Sequence, residues 1–215
     1  MTAEVIGFFN DYDNLLGNDT VSAGGGGTGD QFNGGAVEVQ GLEASFGIDL
    51  ARRSRSRISV PLRLAYTYTT AEFQTSFSDW GPLAERGDEL PFIPEHQLYA
   101  GLSVEGPRWA VNLGTNYSDE MRTKPGRGPI PPNETLDSRF LVDQRAEYLL
   151  FGRFKIWGQV FNATDEVYVA ARRPAGLRPG RPRSALFGIS FSPTIDQRPA
   201  NPERRPGRFW NPCLS

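Results

Sequence analysis

The sequence has one cysteine and one histidine among its 215 residues, and this scarcity excludes several kinds of site. Cys213 has no second cysteine with which to form an internal disulfide. His96 has no evident second ligand nearby, so we expect neither a metal site nor a cofactor. The formal net charge of −2 argues against a general nucleic-acid-binding protein. No apolar run approaches the roughly 18 residues that a membrane-spanning helix needs.

The chain also lacks a recognisable catalytic constellation. The acid pairs Asp11 with Asp13 and Asp88 with Glu89 flank loops in which no activated nucleophile or basic partner is identifiable. We expect these carboxylates to stabilise turns and to lie at the rims of loops, and we predict no catalytic residue. The chain is therefore not expected to be an enzyme.

What the sequence has in abundance is a period-two alternation of apolar and polar residues. Its 24 glycines, 17 prolines and 12% aromatic residues suit strands separated by turns and long loops better than helices. The predicted class is therefore all-β, with eight antiparallel strands. They cover residues 4–12, 35–50, 57–70, 96–105, 108–118, 137–150, 153–162 and 183–191.

The connections between these strands alternate in length. The long ones cover 13–34, 71–95, 119–136 and 163–182, and the three between them are short. Up-and-down barrels of the outer membrane have short periplasmic turns and long outer loops. The alternation thus favours a transmembrane up-and-down barrel, and the long loops, rich in Gly and Pro, are expected to be flexible or extended rather than helical.

Each strand has an apolar side and a polar side. Along one strand the apolar side carries Ile58, Val60, Leu62, Leu64, Tyr66 and Tyr68. A membrane barrel turns such a side toward lipid and keeps polar groups in the lumen, whereas a soluble sandwich buries it. Aromatic residues near strand ends fit two interfacial girdles and favour the membrane. The girdle candidates are Tyr66, Tyr68, Trp109, Tyr117 and Tyr148.

A lipid-exposed sheet must close, because lipid offers no hydrogen-bond partner to a bare strand edge. Eight strands can close, but side chains then fill the narrow lumen. Here the inward positions often carry Gly, Ala, Ser or Asn, which would fill such a lumen poorly. The stretch MTAEVIGFFNDYDN is not a signal peptide, and a strand starts almost at once. We therefore expect the C-terminal part of a wider barrel.

Several ordered blocks resemble the TonB-dependent outer-membrane receptors, and the ferric-dicitrate receptors are the most similar subgroup. The blocks are GFFNDYDNLLG (7–17), GGAVEVQGLEAS (34–45), YTYTTAEFQTSF (66–77), GDELPFIPEHQLYAGL (87–102) and VFNATDEVYVAARRPAGLRPGRPRSALFGISF (160–191). The resemblance implies a bacterial outer-membrane barrel of 22 strands with an N-terminal plug, importing ferric siderophores with energy passed through TonB. About eight of those strands are expected here, as an open curved sheet without the plug or the TonB-contacting segment.

The resemblance ends at Phe191, where family members normally close the last strand with an aromatic residue. Residues 1–191 are thus expected to be barrel. Residues 192–215 are Pro- and Arg-rich without a period, and are expected to be a disordered tail. Two alternatives stay open from the residues themselves. One is an autonomous eight-stranded membrane barrel with a structural or adhesion role, and the other is a soluble β-sandwich binding module.

Arginines of the last long loop are the candidate ligand-binding residues. Ferric citrate and other ferric chelates are anionic, and guanidinium groups bind carboxylates through paired, charge-assisted hydrogen bonds. Contact with lipopolysaccharide phosphates, or simple solvation, is the alternative interpretation. The candidates are Arg172, Arg173, Arg178, Arg181 and Arg183, with Arg122 of the preceding long loop. Expected partners are therefore the ferric chelate, outer-membrane lipid and lipopolysaccharide, and not nucleic acid.

Overall fold

The computed structural model describes residues 1–18, 31–33, 35–51, 57–76, 84–151, 153–172 and 176–192. The predictions for the GGGGTGD stretch and for the tail beyond residue 192 fall outside these ranges. Within them every regular element is a β-strand. The same ranges contain no helix that is long and apolar enough to cross a membrane.

Fourteen strands are present in the described ranges, eight long and six short. In chain order they are β1 (Thr2–Tyr12), β2 (Leu16–Asn18), β3 (Gln31–Asn33), β4 (Val37–Asp49), β5 (Pro61–Phe73), β6 (His96–Glu105), β7 (Trp109–Ser118), β8 (Met121–Arg122), β9 (Thr135–Leu136), β10 (Arg139–Leu150), β11 (Phe154–Phe161), β12 (Val169–Ala171), β13 (Arg178–Pro179) and β14 (Ser184–Phe191). The long strands form one antiparallel sheet in the order β1-β4-β5-β6-β7-β10-β11-β14. This meander confirms the predicted up-and-down topology.

The eight long strands correspond one to one to the eight predicted strands. The strand predicted at 57–70 differs most, because β5 begins at Pro61 and continues to Phe73. The long connections contain a feature that was not predicted. Three of the four long connections each hold a two-stranded hairpin, namely β2–β3, β8–β9 and β12–β13.

All four long connections leave one end of the meander, called here the loop end. The short connections lie at the opposite, turn end.

The strand register aligns the apolar sides of all eight strands on one face of the sheet. Leu62 pairs with Ile48 on one side and Leu102 on the other, and Leu102 pairs with Leu113. Residues on this apolar face remain exposed, with Leu113 at 37% and Ile189 at 75%. The described chain therefore places no protein layer over this face.

Buried apolar residues collect at the loop end instead. Val37, Phe73 and Ala84 form the buried cluster, with Val39 and Leu90 packed against it. In the described ranges β1 and β14 each pair on one side only, so the sheet is open, as predicted. No second large sheet packs on the first in these ranges, and the sandwich alternative is therefore wrong.

Candidate functional site

Charged residues lie on the face opposite the apolar one, where they form a connected group. The Glu147 carboxylate is 3.6 Å from Arg145 Nη2 and 3.4 Å from Lys155 Nζ. Arg145 also donates to Gln159 Oε1 at 3.3 Å, and its guanidinium carbon lies 4.9 Å from the centre of the Trp157 ring. Two cations share one carboxylate, and Arg145 has further partners in Gln159 and Trp157, so the charges of this group are balanced within the sheet.

Arg122 connects two long loops at the loop end. Its side chain is 5% exposed, and its Nε lies 2.7 Å from Glu89 Oε2. Its Nη2 donates to the carbonyl of Gly128 at 3.0 Å. The Phe92 amide donates back to the Arg122 carbonyl at 2.9 Å. Through these contacts the buried Arg122 guanidinium holds the two loops together. The ligand-binding role predicted for Arg122 stays a prediction.

Further ion pairs surround the contact between Arg122 and Glu89. Arg127 lies 2.9 Å from the Glu85 carboxylate and 3.3 Å from that of Asp88. Lys124 lies 2.6 Å from Glu134, which belongs to the same loop. The carboxylates of Asp88 and Glu89, expected at a loop rim, therefore pair with cations of the next long loop.

Arg172 ties the last long loop to the middle one. Its Nε donates to the Thr135 carbonyl at 2.6 Å, and its Nη2 donates to the Pro132 carbonyl at 3.2 Å. Thr135 also pairs with Arg122 across β8–β9. The structure thus brings two predicted candidates, Arg122 and Arg172, to one strand pair, where both contact protein groups.

Asn162 anchors the start of the last long loop, a role that the sequence analysis missed. It is 3% exposed and has a φ of 48°. Its Nδ2 donates to the carbonyls of Glu166 and Arg181, both at 2.9 Å, and its Oδ1 accepts from the Glu166 amide at 2.8 Å. The signal in the sequence was an Asn at a strand end, since Asn tolerates a left-handed backbone and bonds to nearby backbone groups.

The other predicted arginines differ in what they contact. Arg183 pairs with Asp165 at 3.3 Å. The Arg181 guanidinium carbon lies 4.4 Å from the centre of the Phe161 ring. Arg178 is exposed on β13 and has no ion pair with any described residue, while Arg173 lies outside the described ranges. Arg178 and Arg181 are therefore the candidates in the described chain whose guanidinium groups are not paired with a carboxylate or a carbonyl.

Aromatic side chains on the apolar face occur toward both ends of the sheet. Toward the loop end, Tyr66 shares a 2.8 Å hydrogen bond with His96 Nδ1, and the Tyr68 ring centre is 5.3 Å from that of His96. Toward the turn end, Trp109 lies directly opposite Tyr148. His96 is thus part of an aromatic cluster, and the described residues hold no group of three or more potential His, Cys, Asp or Glu ligands.

Comparison with known proteins gives a family match and several similar structures. The model of a family described as TonB dependent receptor-like, beta-barrel, matches residues 1–163. The ferric-catecholate import receptor Fiu from Escherichia coli, in its closed form, has a TM-score of 0.60 at 20% identity over 88% of this chain and 25% of its own. The FrpB iron transporter from Neisseria meningitidis has a TM-score of 0.62 at 13% identity over 88% of this chain and 29% of its own.

A third similar structure is the ferric citrate transporter FecA in its unliganded form. Its TM-score is 0.62 at 19% identity, and the match covers 87% of this chain and 28% of that transporter. At these identities the similarity shows the fold. The chain spans between 25% and 29% of the length of these three proteins.

Proposed function

The chain belongs to the family of TonB-dependent receptor β-barrels, and we propose from this that it is the C-terminal part of a receptor that imports a ferric chelate. The family consists of outer-membrane receptors and transporters rather than enzymes. In such barrels the turn end faces the periplasm and the loop end faces the outside. The chelate would be ferric citrate or another siderophore, and its transport would need energy passed through TonB to the whole receptor.

The observation that carries this proposal is the family match together with fold similarity to three proteins whose names describe iron transport. The polarity of the two faces supports it. An apolar face turned to lipid and a charged face turned inward are what a transmembrane barrel requires. Outer-membrane lipid would surround the apolar face, and lipopolysaccharide would surround the loop end.

The loop end supports the chelate as ligand. The pair between Arg122 and Glu89 and the bond from Arg172 to the Thr135 carbonyl bind the last three long loops into one platform. Arg178 and Arg181 lie in the last loop without a carboxylate partner among the described residues. Two such guanidinium groups attract an anionic ferric complex, and they bind its carboxylates bidentately if the geometry allows.

Equilibrium dialysis of the full chain in detergent against radiolabelled ferric citrate tests this proposal. We expect saturable binding that falls at least about tenfold in the double variant Arg178→Ala/Arg181→Ala, because each charge-assisted contact contributes about 1.5–3 kcal/mol. Arg57→Ala, an exposed arginine at the turn end, is the matched control and should bind like the unaltered chain.

A second arm of the dialysis identifies the chelate. Unlabelled ferric citrate and an unlabelled ferric catecholate are added as competitors in separate titrations. Stronger displacement by citrate supports the dicitrate subgroup, and stronger displacement by the catecholate assigns another siderophore. Equal binding of ferric citrate by the unaltered chain, by Arg178→Ala/Arg181→Ala and by Arg57→Ala contradicts the role of Arg178 and Arg181. The absence of saturable binding with every ferric complex contradicts a chelate-binding function for this region.

A further inference from the structure

Arg139, which the sequence analysis did not select, is an unpaired cation at the loop end. It is the first residue of β10 and lies an even number of positions before Arg145, so its side chain is on the polar face. The residue is half-buried. Among the described residues its guanidinium has neither an ion pair nor a hydrogen bond. Partial burial of a cation without a partner costs free energy, which a bound anion would recover.

Tyr168 of the last long loop holds this guanidinium. The guanidinium carbon of Arg139 lies over the Tyr168 ring, 5.6 Å from its centre. The ring is itself fixed, because the Tyr168 carbonyl accepts from the Gly180 amide at 2.8 Å and its hydroxyl accepts from the Arg181 amide at 3.3 Å. A Cβ atom at Gly180 would overlap the ring, so the backbone packs directly against it. The last long loop therefore brings a fixed aromatic ring to a side chain of the sheet.

Arg181 shows the same kind of contact on the same face. Its guanidinium carbon lies 4.4 Å from the centre of the Phe161 ring, and Phe161 lies an even number of positions after Trp157 on β11. It has no carboxylate partner among the described residues. Arg145 differs, because it lies over the Trp157 ring but its charge is balanced by Glu147. Two arginines of the loop end are thus stacked on rings without a paired acid.

These contacts favour a carboxylate over an aromatic ring as the group that binds here. A guanidinium stacked on a ring keeps its N–H edge free, and that edge matches the two oxygens of a carboxylate. The rings of Tyr168 and Phe161 are already in contact with guanidinium groups. An aromatic chelator therefore finds little ring surface on which to stack, whereas a chelate that displays carboxylates finds free donors.

We propose that Arg139 is a chelate-binding residue, that Tyr168 is its positioning residue, and that together they select a ferric hydroxycarboxylate over a ferric catecholate. The Arg139 guanidinium binds one carboxylate of the chelate through its free N–H edge, while the Tyr168 ring keeps the guanidinium plane in place. This inference rests on the proposed function, which makes the polar face the inside of the barrel and the loop end its entrance.

Equilibrium dialysis of the full chain in detergent tests this subsite. Radiolabelled iron is supplied either as ferric citrate or as a ferric catecholate that has no free carboxylate, and the ratio of the two dissociation constants gives the preference. The unaltered chain should prefer ferric citrate. Arg139→Ala should weaken ferric citrate binding and lower this preference, each at least about tenfold, because it removes charge-assisted hydrogen bonds to a carboxylate. Arg57→Ala, at the turn end, is the matched control and should keep the preference of the unaltered chain.

Variants of Tyr168 separate positioning from general support of the loop. Tyr168→Phe keeps the ring and should keep the preference, whereas Tyr168→Leu removes the ring and should lower it. If Tyr168 acts through Arg139, the double variant Arg139→Ala/Tyr168→Leu loses no more preference than Arg139→Ala alone. Arg139→Lys keeps the charge without the planar N–H edge, so its affinity for ferric citrate should lie between those of the unaltered chain and Arg139→Ala. Arg139→Lys and Tyr168→Leu provide the comparison if Arg139→Ala does not fold.

The outcomes distinguish this inference from the proposed function. Saturable ferric citrate binding that is unchanged in Arg139→Ala would overturn the subsite and leave the proposed function standing. A preference of the unaltered chain for the catecholate would overturn the choice of chelate class in the same way. Additive losses in the double variant would overturn the positioning role of Tyr168. The absence of saturable binding with either ferric complex would overturn both the subsite and the proposed function.

Discussion

The guanidinium of Arg122 lies 2.7 Å from the carboxylate of Glu89, although the two residues belong to different long loops. The Arg122 side chain is 5% exposed, while that of Glu89 is 51% exposed. The Glu89 amide also donates to the Gly126 carbonyl at 2.8 Å. A buried cation with a half-exposed anion therefore fixes one loop of the platform on the next.

Glu89→Ala should loosen this platform. The change leaves the buried Arg122 guanidinium with the Gly128 carbonyl and without its charged partner, which costs about 1–3 kcal/mol of local stability. Hydrogen exchange measured by mass spectrometry should show protection of residues 85–92 falling by about 5- to 150-fold. Arg183→Ala is the control, because Arg183 is 57% exposed and its pair with the 51% exposed Asp165 contributes at most about 1 kcal/mol. Equal losses in the two variants would contradict the dominant role of Arg122.

Asn162→Ala should release the start of the last long loop. It removes two donated bonds and one accepted bond from a buried position and places alanine at a φ of 48°. We expect a loss of about 2–3 kcal/mol of local stability, seen as faster amide exchange at Glu166. Asn133→Ala, at an exposed loop position, should have no measurable effect. Unchanged exchange at Glu166 in Asn162→Ala would show that the side chain does not hold the loop.

A charge introduced on the two faces of β5 should have opposite consequences. Leu64 and Ala65 are adjacent and both exposed, and they point to opposite faces near the middle of the strand. Leu64→Arg should destabilise the protein in phospholipid vesicles by about 2–4 kcal/mol, the cost of arginine on the lipid face at the midplane. Ala65→Arg should lower the free energy of unfolding much less. The new arginine side chain lies in water, and its repulsion from Arg63 is screened by salt. Urea titration of folded protein in vesicles measures both, and a larger cost for Ala65→Arg would reverse the assignment of the faces.

The long strands could be predicted from the sequence because their signal is local and repeated. In β6 and β7 the alternation of apolar and small polar residues is continuous, and the Gly-Pro turn at 106–107 fixes the register. Antiparallel pairing through short turns then follows without long-range information. The open edges at β1 and β14 could be predicted because the inward positions often carry Gly, Ala, Ser or Asn, which fill the lumen of an eight-stranded barrel poorly.

The loop end could not be predicted in this detail because its contacts join distant residues. Arg122 and Glu89 are 33 positions apart, and Arg172 and Thr135 are 37 apart. A single sequence contains no sign that one arginine is buried against a carboxylate while Arg178 stays exposed. The hairpin β8–β9 depends on these contacts, and its four residues carry too short a pattern to show alternation.

The orientation of the sheet in lipid is the central claim, and nitroxide labels at two adjacent positions of β7 test it most directly. Single cysteines at Leu113→Cys and Asn112→Cys, in a chain with Cys213→Ser, are labelled in phospholipid vesicles. Electron paramagnetic resonance then measures collisions with oxygen, which concentrates in lipid, and with a water-soluble nickel chelate. The account predicts that the Leu113 label collides mainly with oxygen and the Asn112 label mainly with nickel. The reverse pattern, or equal exposure of both labels to nickel, would contradict it.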